Sequence, residues 1–476
     1  MVIAAWAKHI VKTSFDNFDR ETVTQAKNRI VDIMGCAVGG VDAPGNAALL
    51  DLIKGWGGKK EATILVHGIK APAHNAAWIN SIMARSFDFG IIIPYIGDKM
   101  VPAHISESTV PAAVTAAEWQ HATGKELITA LIVGEDIAVR VSAASKYTPG
   151  GGWDSPGIVN KFGTVAIAAK LMGLNERQIV NAFGTILDQL AGSFQSIYDG
   201  AHSFKLGQGL AARDGIISAE MAQKGWLGAK DPLLGKCGYF ALYCQGSDPE
   251  ILTSKLGEEF YGARCTYKAY PGCGWTHPAI DCALKLVNQQ DVNIEKIAEI
   301  TINVAKMHLG SSLDQPFELG DFPQGNASFS YRYAVANALL RKSSRPEHYT
   351  EEYIRDPEVG ALARKARVIS TLTPADRLDA AEVRVILQDG NEYSARVTAA
   401  KGNPLFQPLT TDEIVEKFRN NVAFSNTVSE QNAEKALDMI NHLEKVSDTG
   451  ELVALLVAPA KKSRRKGNTA STKEKS

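Results

Sequence analysis

The sequence predicts a mainly α protein, in which a smaller α+β lid domain is inserted into a large all-helical domain. Apolar residues keep helical spacing through the first 250 or so residues, and strand-like alternation first becomes clear after residue 265. A helical pattern returns after residue 410. A chain of 476 residues is also too long for one ordinary core. We therefore assign residues 1–266 and 402–458 to the helical domain and residues 267–401 to the lid.

The helical domain is predicted from apolar spacing and from helix-start signals. Val23–Met34 keeps helical spacing and is followed by Gly39-Gly40, which ends the element. Thr123-Gly-Lys-Glu126 has the form of a capping box. Glu61–Val66 is compatible with a short strand or an extended segment. Further helices are predicted at Ala76–Phe87, Val110–Glu118, Phe162–Leu171 and Leu210–Lys224.

The lid is predicted from period-two alternation. Glu299–Val304 alternates as a half-buried strand does. Val383–Leu387 and Tyr393–Val397 flank Asp389-Gly390, which is a typical hairpin turn. Helices at Ile280–Leu286 and Tyr333–Leu340 are interspersed with these strands, which favours an α+β arrangement.

Charge is unevenly distributed along the chain. The last 17 residues contain seven lysines and arginines against one glutamate, so this stretch carries +6 and the remainder of the chain carries −7. Such a run can contact nucleic acid or direct a protein to the nucleus, but its polar surroundings favour a disordered basic tail over residues 459–476. The acidic remainder argues against nucleic acid as a partner of the folded body.

The six cysteines are too few for a disulfide framework in a chain of this length. None forms a Cys-x-x-Cys pair, so zinc and iron–sulfur sites lack support and no metal is expected. The start, Met1–Lys8, does not have the pattern of a signal peptide, and no window has the length and composition of a membrane span. We therefore expect a soluble, cytoplasmic protein without a membrane partner.

Candidate chemistry is concentrated in the stretch Tyr267–Ile280. Prolines and glycines there prevent regular structure, so Lys268 and His277 are expected on irregular backbone. A cation and an imidazole on such a loop suit a site that holds a carboxylate and moves a proton. The alternative is a turn before a helix, with His277 as a cap and Lys268 in solvent.

Three other places combine polar groups with irregular backbone near helix ends. They are Asp88 with His104, the segment His202–Lys205, and the segment Ser328–Tyr333. Each one alone is also compatible with a structural role. The sequence has no nucleophile elbow, dinucleotide fingerprint or zincin motif that would compete with these segments.

Taken together, these segments resemble the MmgE/PrpD family, which includes 2-methylcitrate dehydratase, cis-aconitate decarboxylase and iminodisuccinate epimerase. The resemblance covers roughly residues 5–450, and its most specific piece is Lys268-x-Tyr-Pro-x-Cys-x-x-Thr-His-Pro-Ala-Ile280. The other pieces are shorter and occur in the order of the family: Ile30–Gly35, Glu61–Thr63 with His67-Gly68, Ser86–Phe89, His104 before Val110–Ala113, Gly163 with Ala168–Leu174, and Asp199-Gly200 with Lys205 and Ala211–Arg213.

The resemblance implies a helical domain with an α+β lid, a homodimer, and a site between the lobes that needs neither metal nor organic cofactor. It implies that Lys205 and Lys268 hold substrate carboxylates and that His104 and His277 exchange protons with the substrate. By position, the implied catalytic residues are Asp88, His104, Lys205 and His277, and the implied substrate-binding residues are Lys268, Tyr331 or Tyr333, and Asp154.

The chain departs from the family pattern in three places. Asp88-Phe-Gly-Ile-Ile92 stands where members typically have Asp-Phe-Asp-Asp-Thr, and Asp154 stands where decarboxylase-like members carry histidine. Lys205-Leu-Gly-Gln-Gly209 replaces the frequent Lys-Arg-Leu-His-Pro-Gly. These changes put 2-methylcitrate dehydration and itaconate formation in doubt and leave proton abstraction intact.

The predicted function is that of a cofactor-independent, dehydratase-like carbon–oxygen lyase acting on a di- or tricarboxylate. Epimerisation or isomerisation and decarboxylation are alternatives within the same chemistry. A non-catalytic relative that binds an acid or serves as a dimeric scaffold is the alternative of a different class. The retained lysines and histidines argue against that role, and the missing Asp-Asp-Thr argues for it.

Overall fold

The computed structural model describes residues 2–147, 152–290, 292–373 and 376–459. Helices dominate this part of the chain, so the prediction of a mainly α protein is confirmed. The predicted disordered tail lies, from residue 460 onward, outside the described residues, and so do residues 148–151, which include most of the glycine run before Trp153.

The α-helices follow one another through the first 243 residues and again after residue 410. Their bounds are α1 Val2–Lys12, α2 Arg20–Gly39, α3 Asn46–Trp56, α4 Ala73–Arg85, α5 Ser106–Trp119, α6 Gly124–Ala144, α7 Ser155–Leu171, α8 Glu176–Ile186, α9 Gln195–Tyr198, α10 Leu206–Gln223, α11 Tyr239–Tyr243, α12 His277–Gln289, α13 Pro323–Ser328, α14 Tyr331–Arg341, α15 Glu351–Ile354, α16 Pro357–Arg364, α17 Thr411–Ser425, α18 Glu430–Asn441 and α19 Gly450–Leu455.

The strands form four sheets. Their bounds are β1 Ala62–Ile64, β2 Ile69–Ala71, β3 Ile92–Ile96, β4 Lys99–Met100, β5 Ser145–Tyr147, β6 Cys244–Ser247, β7 Cys265–Thr266, β8 Ile297–Asn303, β9 Ala366–Ile369, β10 Ala381–Leu387 and β11 Glu392–Val397. The largest sheet has the order β11-β10-β8-β9, with β8 and β9 parallel and the other pairs antiparallel. The small sheets are β1-β2, β4-β3-β7 and β5-β6.

A local signal places the start of α6 correctly, whereas the helices predicted from Ala76, Val110, Phe162 and Leu210 begin earlier, at Ala73, Ser106, Ser155 and Leu206. The Thr123 hydroxyl and the Glu126 carboxylate form the predicted capping box at the start of α6, which satisfies N–H groups that the helix leaves free. The predicted hairpin is also confirmed, with Val385 opposite Tyr393 in the β10-β11 ladder. Both features depend on residues that are close in sequence.

The prediction that residues 1–266 are all helical is wrong in detail, because three small sheets lie there. The β-branched run Ile91-Ile-Ile93, interpreted from sequence only as a helix break, enters β3. β-branched residues favour strands, and β3 finds its partner β7 about 170 residues later, at Thr266. Sequence spacing gives no sign of such a distant partner.

The buried apolar residues form two main clusters. The first contains residues of α1–α8, α10 and α17–α19, and the second is built on α12, α14, α16 and the largest sheet. Phe87, Phe89 and Phe204 come from the helical part of the chain but pack in the second cluster. The division into a helical domain and a lid remains a proposal, and these phenylalanines mark where the two would meet. None of the helices in the described part of the chain has the length and apolar character needed to span a bilayer.

Candidate functional site

A cavity of about 310 Å³ lies between the end of α4, the start of α7 and the loop before α12. It brings together three of the residues predicted for the site, Asp88, His104 and Asp154. Much of the rest of its wall is apolar or aromatic: Ile92, Ile93, Pro102, Ala103, Phe194, Ile197, Tyr198, Trp275, Met307, Leu313 and Phe329.

Asp88 reaches the cavity through a tight turn after α4. Its backbone N–H donates to the Arg85 carbonyl at 2.9 Å, and its φ of 45° lies in the left-handed region, which is uncommon for residues other than glycine. Ile93 has a φ of 44°, which is rarer still for a β-branched residue. Strained backbone of this kind persists where surrounding contacts hold it, and it occurs often at functional sites.

Arg85, Asp88, Glu107 and Lys268 form a buried group that we call the ionic cluster. Arg85 Nη1 and Lys268 Nζ both pair with the Asp88 carboxylate. Arg85 Nη1 also lies 3.0 Å from Glu107 Oε2, and Lys268 Nζ donates to the Asp88 carbonyl at 2.7 Å. Each charge in the cluster therefore has an opposite partner, as buried ions require.

The ionic cluster sets the charge of its two acids. Burial alone would raise the pKa of Asp88, but Arg85 and Lys268 outweigh burial and hold that pKa well below its ordinary value. Burial raises the pKa of Glu107, and Arg85 and Lys268 offset this only in part. Asp88 is therefore an anion at neutral pH.

Gly90 makes room for Glu107. A Cβ atom at position 90 would lie 2.5 Å from Glu107 Cγ and 2.7 Å from Glu107 Oε1, both far too close. The Gly90 N–H donates to Glu107 Oε1 at 3.1 Å. An aspartate at position 90, which is typical of the family that the sequence resembles, would overlap the side chain that Arg85 binds.

His104 faces the cavity from the segment before α5, with 23% of its side chain exposed. Its Nδ1 lies 3.3 Å from Arg85 Nη1 and 4.0 Å from Asp88 Oδ1. Its carbonyl accepts from Asn160 Nδ2 at 2.7 Å. Burial, Lys268 and Arg85 hold the pKa of His104 well below its ordinary value, so the ring is neutral at pH 7. A guanidinium only donates, so a hydrogen bond from Arg85 Nη1 requires an unprotonated Nδ1 and places the ring proton on Nε2. Nε2 is a free base only in the other tautomer, in which Nδ1–H faces Asp88.

Asp154 enters the cavity from the N-cap position of α7. Three glycines surround its side chain: a Cβ at Gly207 would lie 2.3 Å from Asp154 Oδ2, one at Gly157 would lie 2.8 Å from the same atom, and one at Gly192 would lie 2.9 Å from Asp154 Cβ. We call this arrangement the glycine cradle. Burial raises the pKa of Asp154 to about 6, because Arg85 and the Gly157 N–H offset it only in part.

His277 and Lys205 do not line the cavity as the structure describes it. His277 is the first residue of α12, is 1% exposed, and finds no hydrogen-bond partner for Nε2 among the described residues. Burial and Lys268 lower its pKa to about 3. Lys205 Nζ donates to the Pro44 carbonyl at 2.7 Å and to Asn46 Oδ1 at 2.8 Å, and burial lowers its pKa to about 7.

The three remaining residues of the predicted binding set are buried as well. Lys268, as described above, is held by Asp88. The Tyr331 hydroxyl donates to the Trp275 carbonyl at 3.0 Å, so Tyr331 supports the cavity wall from behind. The Tyr333 hydroxyl donates to the His348 carbonyl. Both tyrosines are at most 1% exposed, and contact between either phenol and a substrate stays a prediction.

Arg85 and Glu107 are central to the site, and the sequence analysis did not identify them. Each lies three residues from a predicted site residue, Arg85 before Asp88 and Glu107 after His104. Helical spacing could not have signalled them, because Asp88 and His104 lie outside the helices that contain Arg85 and Glu107. Both also lie within helices, where a charge is usually interpreted as a solvated face.

Asp88, His104 and Glu107 place donor atoms within 4.8 Å of one another, as a metal site would. Arg85 Nη1 already contacts all three residues, and Lys268 pairs with Asp88. A cation bound there would have to displace a guanidinium and an ammonium group. These side chains therefore fit internal ion pairing better than they fit a metal.

Comparison with protein families gives two matches along the chain. The MmgE/PrpD N-terminal domain matches residues 4–252, and the MmgE/PrpD C-terminal domain matches residues 270–445. No curated protein matches the whole chain or part of it.

Proposed function

Because the chain belongs to the MmgE/PrpD family, whose members are generally enzymes and include dehydratases, we propose that it is a cofactor-independent lyase of the dehydratase type. Its proposed reaction removes the proton from the carbon next to a carboxylate of a small acid. One observation carries this proposal: a neutral histidine, His104, faces a largely apolar cavity beside an ionised Asp88 and the guanidinium of Arg85.

His104 is the proposed base. Its unprotonated ring accepts the proton as the carbon–hydrogen bond breaks, and the Asp88 carboxylate, 4.0 Å from Nδ1, partly offsets the effect of burial, Lys268 and Arg85, which disfavour the imidazolium that forms. Negative charge builds at the same time on the substrate carboxylate, where Arg85 stabilises it. The two groups thus act on opposite charges of one transition state.

Asp154 is the proposed acid. With a pKa near 6, it can hold a proton at slightly acidic pH in a place where an ordinary aspartate would be ionised. As the bond from the neighbouring carbon to its hydroxyl breaks, Asp154 gives its proton to the leaving oxygen, and water departs. The electron pair of the broken carbon–hydrogen bond forms the new double bond, and the electron pair of the broken carbon–oxygen bond leaves with the water.

Epimerisation is the second candidate, because Asp154 and His104 line the same cavity and differ in acidity. A proton taken by one and returned by the other would invert the carbon. The di- or tricarboxylate substrate, the homodimer, the cytoplasmic location and the roles predicted for His277, Lys205 and Lys268 remain predictions. Those roles need substrate contacts beyond the cavity described above, so the proposal rests on His104, Asp88 and Asp154.

The test is to incubate the protein with a panel of hydroxy acids in deuterated water and to follow the products by NMR. New vinyl signals indicate water loss, and deuterium at the α-carbon without loss of mass indicates epimerisation or isomerisation. Evolved carbon dioxide indicates decarboxylation. An unchanged panel would contradict the enzyme proposal and favour a role in binding an acid.

The first variant to test is His104→Gln, which removes the base and keeps the size of the side chain. We expect exchange to fall by at least about 100-fold, because a positioned general base contributes roughly 10²–10⁴-fold. The control is His121→Gln, since His121 is 82% exposed and lies outside the cavity. Wild-type exchange in His104→Gln, with an unchanged thermal unfolding curve, would show that His104 is not the base.

A further inference from the structure

The charges that line the cavity restrict the kind of acid that can bind. Among the described residues of its wall, those that carry a formal charge are Arg85, Asp88 and Asp154. The two histidines of the wall are neutral at pH 7, because burial lowers the pKa of His308 to about 4 and that of His104 well below 6.5. The wall therefore offers one cation, Arg85; the charge of Asp88 is balanced by Lys268 behind the wall, and Asp154 is an acid for which the described residues provide no ion pair.

Lys205 and Lys268, the lysines predicted to hold substrate carboxylates, are already bonded. Lys268 is 0% exposed and pairs with Asp88, and Lys205 is 2% exposed and bonds to Pro44 and Asn46. Freeing either one would leave buried oxygens without a donor, which costs roughly 1–3 kcal/mol for each group and more for a charged one. A second or third substrate carboxylate would thus meet no free ammonium group.

Arg85 can hold one carboxylate. Its Nη1 contacts Asp88, Glu107 and His104, and its Nε is fully buried, so among the described contacts Nη2 is the group left to face a ligand. A guanidinium carries five N–H donors, so Arg85 retains donors for one further anion. Any additional substrate anion would lie close to Asp88 and Asp154 without a cation, and burying an unpaired carboxylate is strongly unfavourable.

Much of the cavity wall is apolar or aromatic. Ile92 stands where the family typically has threonine, and a Cβ at Gly274 would lie 2.1 Å from Ile92 Cδ1, so the isoleucine packs directly on the loop before α12. Phe194, Trp275, Leu313 and Phe329 complete this part of the wall. Such side chains stabilise a ligand by removing its apolar surface from water, at about 25 cal/mol for each Å².

We infer that the substrate is a hydroxy acid with one carboxylate and an apolar body, such as an aryl or branched alkyl group. The inference rests on the proposed function. It replaces the di- or tricarboxylate that the family resemblance implies with an acid that has a single carboxylate. A cavity of about 310 Å³ is at the lower end of the usual size range for ligand sites, which suits a small acid of this kind.

The test compares 3-hydroxy-3-phenylpropanoate with malate. In both acids the carbon that bears the hydroxyl is β to a carboxylate; it also carries a phenyl group in the first acid and a second carboxylate in malate. We expect kcat/KM for water loss or α-deuteration to be at least about 100-fold higher for the phenyl acid. A higher value for malate would overturn the inference and leave the proposed function standing. If neither these acids nor the wider panel shows water loss or exchange, the proposed function fails and the inference fails with it.

A variant at the edge of the cavity tests whether the lack of a free cation causes the preference for the phenyl acid over malate. Met307 lines the cavity and is 58% exposed, so Met307→Lys adds a free cation without disturbing the core. We expect it to raise kcat/KM for malate by about tenfold relative to the phenyl acid, which corresponds to about 1.4 kcal/mol. Leu227→Lys is the control, since Leu227 is 69% exposed and lies outside the cavity. An unchanged ratio in Met307→Lys, with the fold intact, would overturn the charge argument.

Discussion

Asp88 and Asp154 line the same cavity, yet their surroundings shift their pKa values in opposite directions. Asp88 is bonded to Arg85 and Lys268, which keep it ionised. Asp154 lies in the glycine cradle, where no described residue provides a bonded cation, and burial favours its neutral form. The comparison shows that residue type alone does not assign a role: one aspartate is a fixed charge and the other can carry a proton.

The largest effect is expected at the ionic cluster. Lys268→Met leaves Asp88 with Arg85 alone, and breaking a buried ion pair on one side typically costs about 3–5 kcal/mol. Urea unfolding at pH 7.5 measures the loss. The double variant Asp88→Asn with Lys268→Met should lose less than the two single losses combined. Lys401→Met is the control, because the Lys401–Glu413 pair is exposed and should contribute less than about 1 kcal/mol. A loss of less than about 1 kcal/mol in the free energy of unfolding of Lys268→Met would contradict our account of the ionic cluster.

The next effect is expected at Asp154, and it depends on pH. Because the pKa of Asp154 is raised in the folded protein, this group stabilises the fold at low pH, and that stability is lost as pH rises from about 4 through about 6. Asp154→Asn should therefore be more stable than the wild type at pH 8, by up to about 3 kcal/mol, and similar to it at pH 4. Unfolding curves at both values measure the difference.

The same variant separates the two roles of Asp154. In the wild type, water-loss activity should fall as pH rises above about 6, because Asp154 then loses its proton. In Asp154→Asn this activity should be lost, because the acid has been removed. Asp51→Asn, at an exposed position, is the control for the loss of one charge. Equal pH dependence of stability in Asp154→Asn and the wild type would show that the carboxyl is not held in its neutral form.

The smallest effect is expected in the glycine cradle itself. Gly207→Ala places a methyl group against Asp154 Oδ2, and overpacking of this kind costs about 1–3 kcal/mol. The matched control is Gly55→Ala, also within a helix but with no atom within 4 Å of the new Cβ, where about 0.5–1 kcal/mol should be gained. Adding Asp154→Ala should remove most of the Gly207→Ala cost. If the cost persists in the double variant, the cradle is not shaped around the aspartate.

The sequence predicted the features that depend on nearby residues. Three examples are the capping box at Thr123, the hairpin at Asp389-Gly390 and the helix α14. Each depends on residues that are close together in the sequence. The β3-β7 pairing was missed, because β7 has two residues and lies far along the chain from its partner. Long-range pairing of very short strands leaves no local pattern.

The site was predicted in part for the same reason. Asp88 and His104 were selected as polar groups on irregular backbone near helix ends, and Asp154 was selected only through the family resemblance; all three line one cavity. The positions of Lys205 and His277 depend on remote partners. A lysine that bonds to a backbone carbonyl, as Lys205 does with Pro44, cannot be distinguished by sequence from one that faces a substrate.

The close fit of Gly90 against Glu107 also constrains how this protein can change. Restoring the aspartate at position 90 while Glu107 is present creates a steric overlap, and shortening Glu107 first leaves a void and removes an acceptor from Arg85. A Cβ at position 90 would also lie 2.8 Å from Ile33 Cδ1, so shortening Glu107 alone does not make room for a side chain there. Placing the acidic pattern in this chain therefore requires coordinated changes at Gly90 and the residues packed on it.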